Sequence, residues 1–217
     1  MLEMYLFINP LGGVCYQAEK NILQLMQDAT EDVRFRFIPL LNMQSTQDVM
    51  KLKKLPVNDL AARNQLVSEI YRASLDFKAA LFQGKKRGRA YLLNVQQQMN
   101  NRTSPYDDEV ALKAAKESGL DEEMFLHDRQ SDFAAHSFMQ DQKMAAEMNV
   151  AHHPTVVLFN VSGFDCGIAM DACDSYDVLT DIFAGRSPQD LVEQTCGQKT
   201  ILNRARTPLK ITFNSNN

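Results

Sequence analysis

Segments with strand character lie only toward the two ends of this chain, and residues 45–150 between them carry apolar stripes of helical spacing. Residues 4–9 read as a short buried strand, broken by Pro10-Leu11-Gly12-Gly13. A helix follows from about Val14, with Cys15, Ala18, Ile22 and Met26 recurring on one stripe. Residues 28–32 end it, and residues 33–40 alternate apolar and basic side chains as a half-buried strand does. If the two strands are parallel, the crossover is right-handed. At the other end, residues 155–160 are β-branched and apolar, Ser162-Gly163 signals a turn, and residues 164–170 can form the returning strand of a hairpin. Two helices are expected to close the chain, over residues 175–184 and 187–196, with Pro188 suited to the first position of the second. The order is βαβ, a long helical insertion, then ββα.

Within the insertion, Leu66, Ile70, Ala73, Phe77 and Leu81 form an amphipathic stripe followed by Gly84, expected just past the helix end. The run Lys85-Lys86-Arg87-Gly88-Arg89 reads as a solvated helix end whose cations favour the macrodipole, with an anion-binding patch as the alternative. Residues 91–99 suggest a further short helix. Ser104 suggests an N-cap with Pro105 at the first helical position and acids behind it, for a helix to Gly119. Residues 120–127 make another turn or two. Ser131 opens the last insertion helix, with Ala134, Phe138, Ala145 and Met148 on one face. Residues 201–217 have mixed polarity and read as an irregular tail.

Composition excludes several classes of function. With 23 basic and 27 acidic residues and a formal net charge of −4, the chain lacks the basic balance of a general nucleic-acid binder. No apolar run nears the roughly 18 residues that a bilayer span needs. The first ten residues have neither a basic n-region nor a long apolar h-region, so no signal peptide is expected and the expected compartment is the cytoplasm. Four cysteines in 217 residues are not a disulfide framework. The isolation of Cys15, the spacing of Cys166 and Cys173 and the distance to Cys196 do not make a zinc site, so no metal is expected. Reduced thiols are expected at all four.

Two loops carry the chemistry. Asn9-Pro10-Leu11-Gly12-Gly13-Val14-Cys15 leads into the first helix, where N–H groups and the helix dipole favour an anion or a thiolate. His152-His153-Pro154-Thr155 precedes the third strand. The His153–Pro154 bond is expected to be cis, and the loop is expected to offer a free strand edge to an extended partner chain.

These segments resemble the DsbA-like proteins of the thioredoxin fold, a family of thiol-disulfide oxidoreductases and dithiol-disulfide isomerases. The first loop is similar to that family's Asp-Pro-x-Cys-x-x-Cys motif. Residues 74–84 are similar to its long insertion helix, and Ser118-Gly119-Leu120-Asp121 with Phe125 to its Gly-Leu-Asp turn. Asp141, Ala145-Ala146-Glu147, Val150 and Pro154-Thr155-Val156 resemble its approach to the cis-proline loop. The resemblance implies an α/β thioredoxin-like domain from residues 1–44 and 151–200, a helical insertion at 45–150 forming a lid, and a C-terminal tail at 201–217. It is greatest to a cytoplasmic branch that includes the adaptor delivering the regulator Spx to the ClpXP protease.

The chain departs from that motif where the first cysteine belongs: Gly12 stands there, and only Cys15 remains. Thiol–disulfide exchange begins with attack by an exposed thiolate, which glycine cannot supply. Cys15 is expected to face inward and behave as a small hydrophobe. A glutathione-dependent transferase or isomerase stays open as a further reading; it would use a loop serine or similar group, and no serine lies between Pro10 and Cys15. The resemblance therefore implies a non-catalytic adaptor that binds a protein client, Spx or another cytosolic protein, through Gly12, Gly13, Val14, His152, His153, Pro154 and Thr155, with the helical lid as the alternative docking face, and without a cofactor. The alternative is residual monothiol redox activity through Cys15. Gly13 is expected to tolerate a long side chain. His152 and His153 read as loop residues, with a proton-transfer pair as the alternative; His127 reads as a surface residue and His136 as a lid residue. Met139, Met144 and Met148 read as lid core rather than groove lining.

Overall fold

A computed structural model describes residues 1–28, 32–100, 102, 104–161, 167–173, 175–186 and the strand 209–211. It divides into two units, one of Met1–Phe7, Gln17–Ile38 and His153–Asn217, the other of Ile8–Tyr16 and Pro39–His152.

The first unit is built on a five-stranded sheet. β1 (Leu2–Ile8), β2 (Val33–Pro39), β3 (Thr155–Phe159), β4 (Gly167–Asp171) and β5 (Leu209–Ile211) lie in the order β2-β1-β3-β4-β5. β3 is antiparallel to both its neighbours, with Leu6 opposite Val156 on one side and Val156 opposite Met170 on the other. Val156, Val157 and Leu158 are buried without alternation, as a strand covered on both faces requires. β2 begins in alternation and ends buried, and Arg34 on its outward side pairs with Glu3 of β1. Tyr5 and Phe159 meet edge to face at 5.8 Å across β1 and β3.

α1 (Gly13–Asp28) buries Cys15, Ala18, Ile22 and Leu25, so the stripe ends on Leu25 while Met26 is only half-buried. α8 (Tyr176–Phe183) buries Leu179, Ile182 and Phe183. The tail is not wholly irregular, because β5 pairs with β4 through Leu209 opposite Ala169. An open sheet edge templates such pairing whatever the polarity of the added strand. The Ser162-Gly163 turn, Phe164, Cys166, Cys196 and the expected helix at 187–196 lie outside the described residues.

The second unit contains α2 (Met43–Leu52), α3 (Leu60–Phe82), α4 (Lys85–Asn100), α5 (Asp108–Glu117), α6 (Glu122–Asp128) and α7 (Asp132–Glu147). α3 buries the stripe Leu66, Ile70, Ala73 and Phe77 and terminates at Gly84, whose φ of +119° suits only glycine. The basic run is not a helix C-terminus. Lys85 is the first residue of α4, which runs unbroken through residues 91–99, so these cations sit against the unfavourable end of the dipole. Packing supplies the compensation. A Cβ at Gly88 would lie 2.9 Å from Leu81 Cα, so this glycine lets α4 approach α3 closely. The cap of α5 is Asp107, not Ser104: its carboxylate accepts the Val110 N–H, and Asp108 and Glu109 fill the first turn. Ser131 caps α7 as expected, accepting the Ala134 N–H at 3.1 Å. Met148 is buried, but Met139 is 66% exposed and is no part of the core. His127 and His136 are both exposed.

Two buried polar clusters join these helices. Arg129 donates Nε to Asp76 Oδ1 at 2.7 Å and Nη2 to Oδ2 at 2.8 Å, and Tyr106 donates its hydroxyl to Oδ2 at 2.7 Å. The Tyr91 hydroxyl lies 3.0 Å from that of Tyr106. Burial pushes Asp76 above its ordinary value, against the opposing charge and hydrogen bonds of Arg129. It also holds both tyrosines far above theirs, so they stay neutral donors. The second cluster is the buried pair Lys78–Asp141, linking α3 to α7.

Candidate functional site

The loop between β1 and α1 is organised by Asn9. Its Oδ1 accepts the Leu11 N–H at 2.9 Å, closing an Asx turn, and its carbonyl accepts the Gly12 N–H at 3.0 Å. The Gly12 carbonyl accepts the Tyr16 N–H at 3.1 Å, so Gly12 is the residue that caps α1, and it brings no side chain to do so. Gln96 of α4 donates Nε2 to the Asn9 carbonyl at 3.2 Å. Cys15, 1% exposed, faces inward and its sulfur accepts the Asn9 N–H at 3.3 Å. Val14 is 45% exposed in the first turn of α1.

Gly13 is not an open position. A Cβ there would stand 2.0 Å from Asn100 Oδ1, so any side chain must displace Asn100. Tolerance at Gly13 therefore turns on the exposed Asn100 side chain swinging aside, and Val14, which needs no such shift, is the residue to vary. Gly12 differs: a Cβ would lie 3.3 Å from Asn9 and 3.4 Å from Cys15 Sγ, a fit that needs only a small adjustment.

The second loop straddles the division between the units. His152 belongs with the α1 loop and the helices, whereas His153, Pro154 and Thr155 belong with the sheet. His152 Nδ1 lies 2.6 Å from Asp48 Oδ2, and Asn42 Nδ2 donates to the Ala151 carbonyl at 3.2 Å, so α2 holds this end of the loop twice. Burial pushes the Asp48 carboxyl up, but the hydrogen bond and charge of His152 outweigh it and hold Asp48 below its ordinary value. The His153–Pro154 bond is cis, as expected. The expected free edge is absent at the strand itself. Thr155 is paired with Phe7 on one side and Asp171 on the other, and the Pro154 carbonyl accepts the Ala172 N–H at 3.1 Å.

Asp48, Gln96 and Asn100 were not visible as site residues in the sequence. Asp48 and His152 are 104 positions apart, and no local spacing announces a pair across that separation. Among the described residues there is no cluster of three or more metal-ligating side chains, and no helix is long and apolar enough to cross a membrane.

The sheet order, the cis-proline loop before β3 and a first helix entered from a tight turn define a protein of the thioredoxin fold. A family model described as Thioredoxin matches residues 5–181, and the chain belongs to that family. Curated relatives include the ClpXP adapter protein SpxH of Bacillus subtilis, 31% identical over 197 residues, covering 83% of this chain and 66% of the relative. The ClpXP adapter protein SpxH of Shouchella clausii is 31% identical over 196 residues, covering 83% of this chain and 65% of its own. The chain thus spans just under two thirds of the length of these two relatives. Among solved structures, the cytosolic disulfide reductase DsbM of Pseudomonas aeruginosa shares the fold at a TM-score of 0.56 and 16% identity, covering 88% of this chain and 99% of that one. The thiol-disulfide exchange protein α-DsbA2 of Wolbachia pipientis does so at 0.56 and 15%, covering 85% and 81%.

The geometry separates the thiols by reactivity. Cys173 is exposed and Cys15 is buried. Timed alkylation followed by mass spectrometry should label Cys173 rapidly and Cys15 only as the protein unfolds. Equal rates at the two would place Cys15 within reach of solvent and weaken the argument for its inertness.

Proposed function

We propose that this chain is a non-catalytic adaptor of the SpxH type, which binds a protein client such as the regulator Spx and presents it to the ClpXP protease in the cytoplasm. One observation carries this reading: Gly12 occupies the capping position of α1 from which an attacking thiolate would have to act, while the one thiol of the loop is buried behind it. The names borne by the relatives support the same reading. The client contacts Gly12, Gly13, Val14 and His152, which belong to one unit, while His153, Pro154 and Thr155, on the sheet, are separate candidates for contact. Because β3 is interior, recognition there uses the loop and its side chains rather than an added strand.

A second reading, monothiol redox activity through Cys15, draws on the hydrogen bond that Cys15 Sγ accepts from Asn9. Such a bond favours a thiolate, but a buried sulfur cannot reach a protein disulfide.

Val14→Asp tests the adaptor reading. An acid in the first turn of α1 suits the helix dipole, so the fold should persist. Binding of Spx, read by calorimetry, should weaken by about 1–3 kcal/mol if Val14 lies in a packed interface. Unchanged affinity would remove the α1 loop from the interface.

A further inference from the structure

Five of the described helices end by a common device, and one of the five breaks its rule. After α3, α5 and α8 the chain enters the left-handed region at Gly84, Gly119 and Gly185, and after α7 at Asn149. These are the residue types that tolerate positive φ. After α2 the same position is Lys54, with φ of 55°. The hydrogen bonds there are those of a complete Schellman cap, from the Lys54 N–H to the Lys51 carbonyl at 3.0 Å and from the Leu55 N–H to the Met50 carbonyl at 2.8 Å. A β-carbon in this region is strained, and glycine would relieve it.

The helix dipole does not account for the lysine. Lys51 in the last turn and Lys53 at the cap already place cations at this terminus. Nor does it account for the apolar surface around it. Leu52 is 67% and Leu60 59% exposed, Val57 is exposed as well, and residues 51–54 and 56–61 are exposed throughout. Asp48 stands 3.9 Å from Lys51 Nζ, and the nearby carboxylate of Asp59 is turned to the Ala62 N–H as the cap of α3, so Lys53 and Lys54 are the cations that this corner offers. The corner between α2 and α3 is thus a short apolar ridge edged by cations, on a chain whose net charge is −4.

We infer that Leu52, Lys53, Lys54, Val57 and Leu60 form a docking surface for an acidic amphipathic segment of a second protein. Carboxylates of that segment meet the lysines while its apolar side chains cover Leu52, Val57 and Leu60. The inference rests on the adaptor reading, since a protein that hands one partner to another needs two faces, and the α1 loop supplies the first. A local backbone strain is retained because the lysine that causes it also binds.

The test uses a short fluorescein-labelled peptide with leucines at helical spacing and glutamates between them, followed by fluorescence anisotropy. A control peptide carries glutamine for every glutamate. The full chain should bind the first and not the second. Lys53→Glu with Lys54→Glu should weaken binding by roughly tenfold or more, as reversal of charges at a complementary interface does. Lys54→Gly should raise the melting temperature by roughly 2–4 °C, through relief of strain, and weaken binding at the same time. A purely structural lysine cannot produce that opposition. Equal binding of the glutamine peptide, a lower melting temperature in Lys54→Gly, or preferential binding to phosphatidylserine vesicles would each overturn the inference. Val14→Asp should bind the peptide like the unaltered chain. A loss there equal to that of the lysine variants would move the peptide to the α1 loop and overturn the corner, whereas the role of that loop is decided separately by Spx binding.

Discussion

Asp141→Ala should cost the helical unit about 3–5 kcal/mol, because it strands a buried ammonium. Lys78 and Asp141 have side chains only 5% and 2% exposed, and Lys78 Nζ lies 2.5 Å from Asp141 Oδ2. In such a pair the mutual attraction mainly offsets the desolvation of two ions, so the intact pair adds little net stability. Removing one partner leaves the desolvation cost of the other in place. Urea unfolding of the unit containing α3 and α7 should show a lowered midpoint with an unchanged slope. A double replacement, Lys78→Met with Asp141→Leu, should recover most of the loss, since well-packed apolar residues often substitute for a buried pair without penalty. A loss below about 1 kcal/mol would mean that Lys78 is solvated like an exposed partner, and the cluster would then have no structural role.

Neither buried cluster was legible in the sequence, and the reason is physical. Lys78 and Asp141 are 63 positions apart, and Asp76 and Arg129 are 53 apart. Charged residues at those distances carry no periodic signal, and on a single helix they look like solvated faces. Local signals fared better where one chemistry dominated. Ser131 was recognisable as a cap because an apolar stripe begins directly after it. Ser104 was misread because Asp107, three positions on, is an equally good cap. Tertiary contacts decided between them: Arg102 pairs with Asp107, and Tyr106 is drawn inward to Asp76. The run at residues 85–89 was misread for a related reason. Dipole arguments place cations at a helix end, but the close approach of Gly88 to Leu81 makes this the start of α4. At the site, the Asn9-to-Cys15 turn was legible because its bonds are local. The constraint that Asn100 places on Gly13 and the hold of Asp48 on His152 were not, because each arrives from a distant helix.

Gly12→Cys should confer a disulfide-reductase activity that the unaltered chain is expected to lack. The unaltered protein should not accelerate the reduction of insulin by dithiothreitol, since Gly12 offers no sulfur and Cys15 is 1% exposed. A Cβ at position 12 fits with only a small shift of Asn9 and lies 3.4 Å from Cys15 Sγ, close enough for the introduced sulfur to bond with that of Cys15. At the N-terminus of α1 the introduced thiol should ionise well below the free cysteine value of about 8.5. Its thiolate attacks one sulfur of an insulin disulfide and releases the other as thiolate. Cys15 then attacks the mixed disulfide, frees the second insulin sulfur and forms an intramolecular disulfide, which dithiothreitol reduces for the next cycle. Gly12→Ser supplies the same β-carbon without the sulfur and should remain inactive. In the absence of dithiothreitol, Gly12→Cys combined with Cys15→Ala should accumulate the mixed disulfide, visible by mass as an insulin-chain adduct. Turnover by the unaltered chain at the rate of the Gly12→Cys variant would show that a buried Cys15 suffices, and the adaptor reading would lose the observation on which it rests.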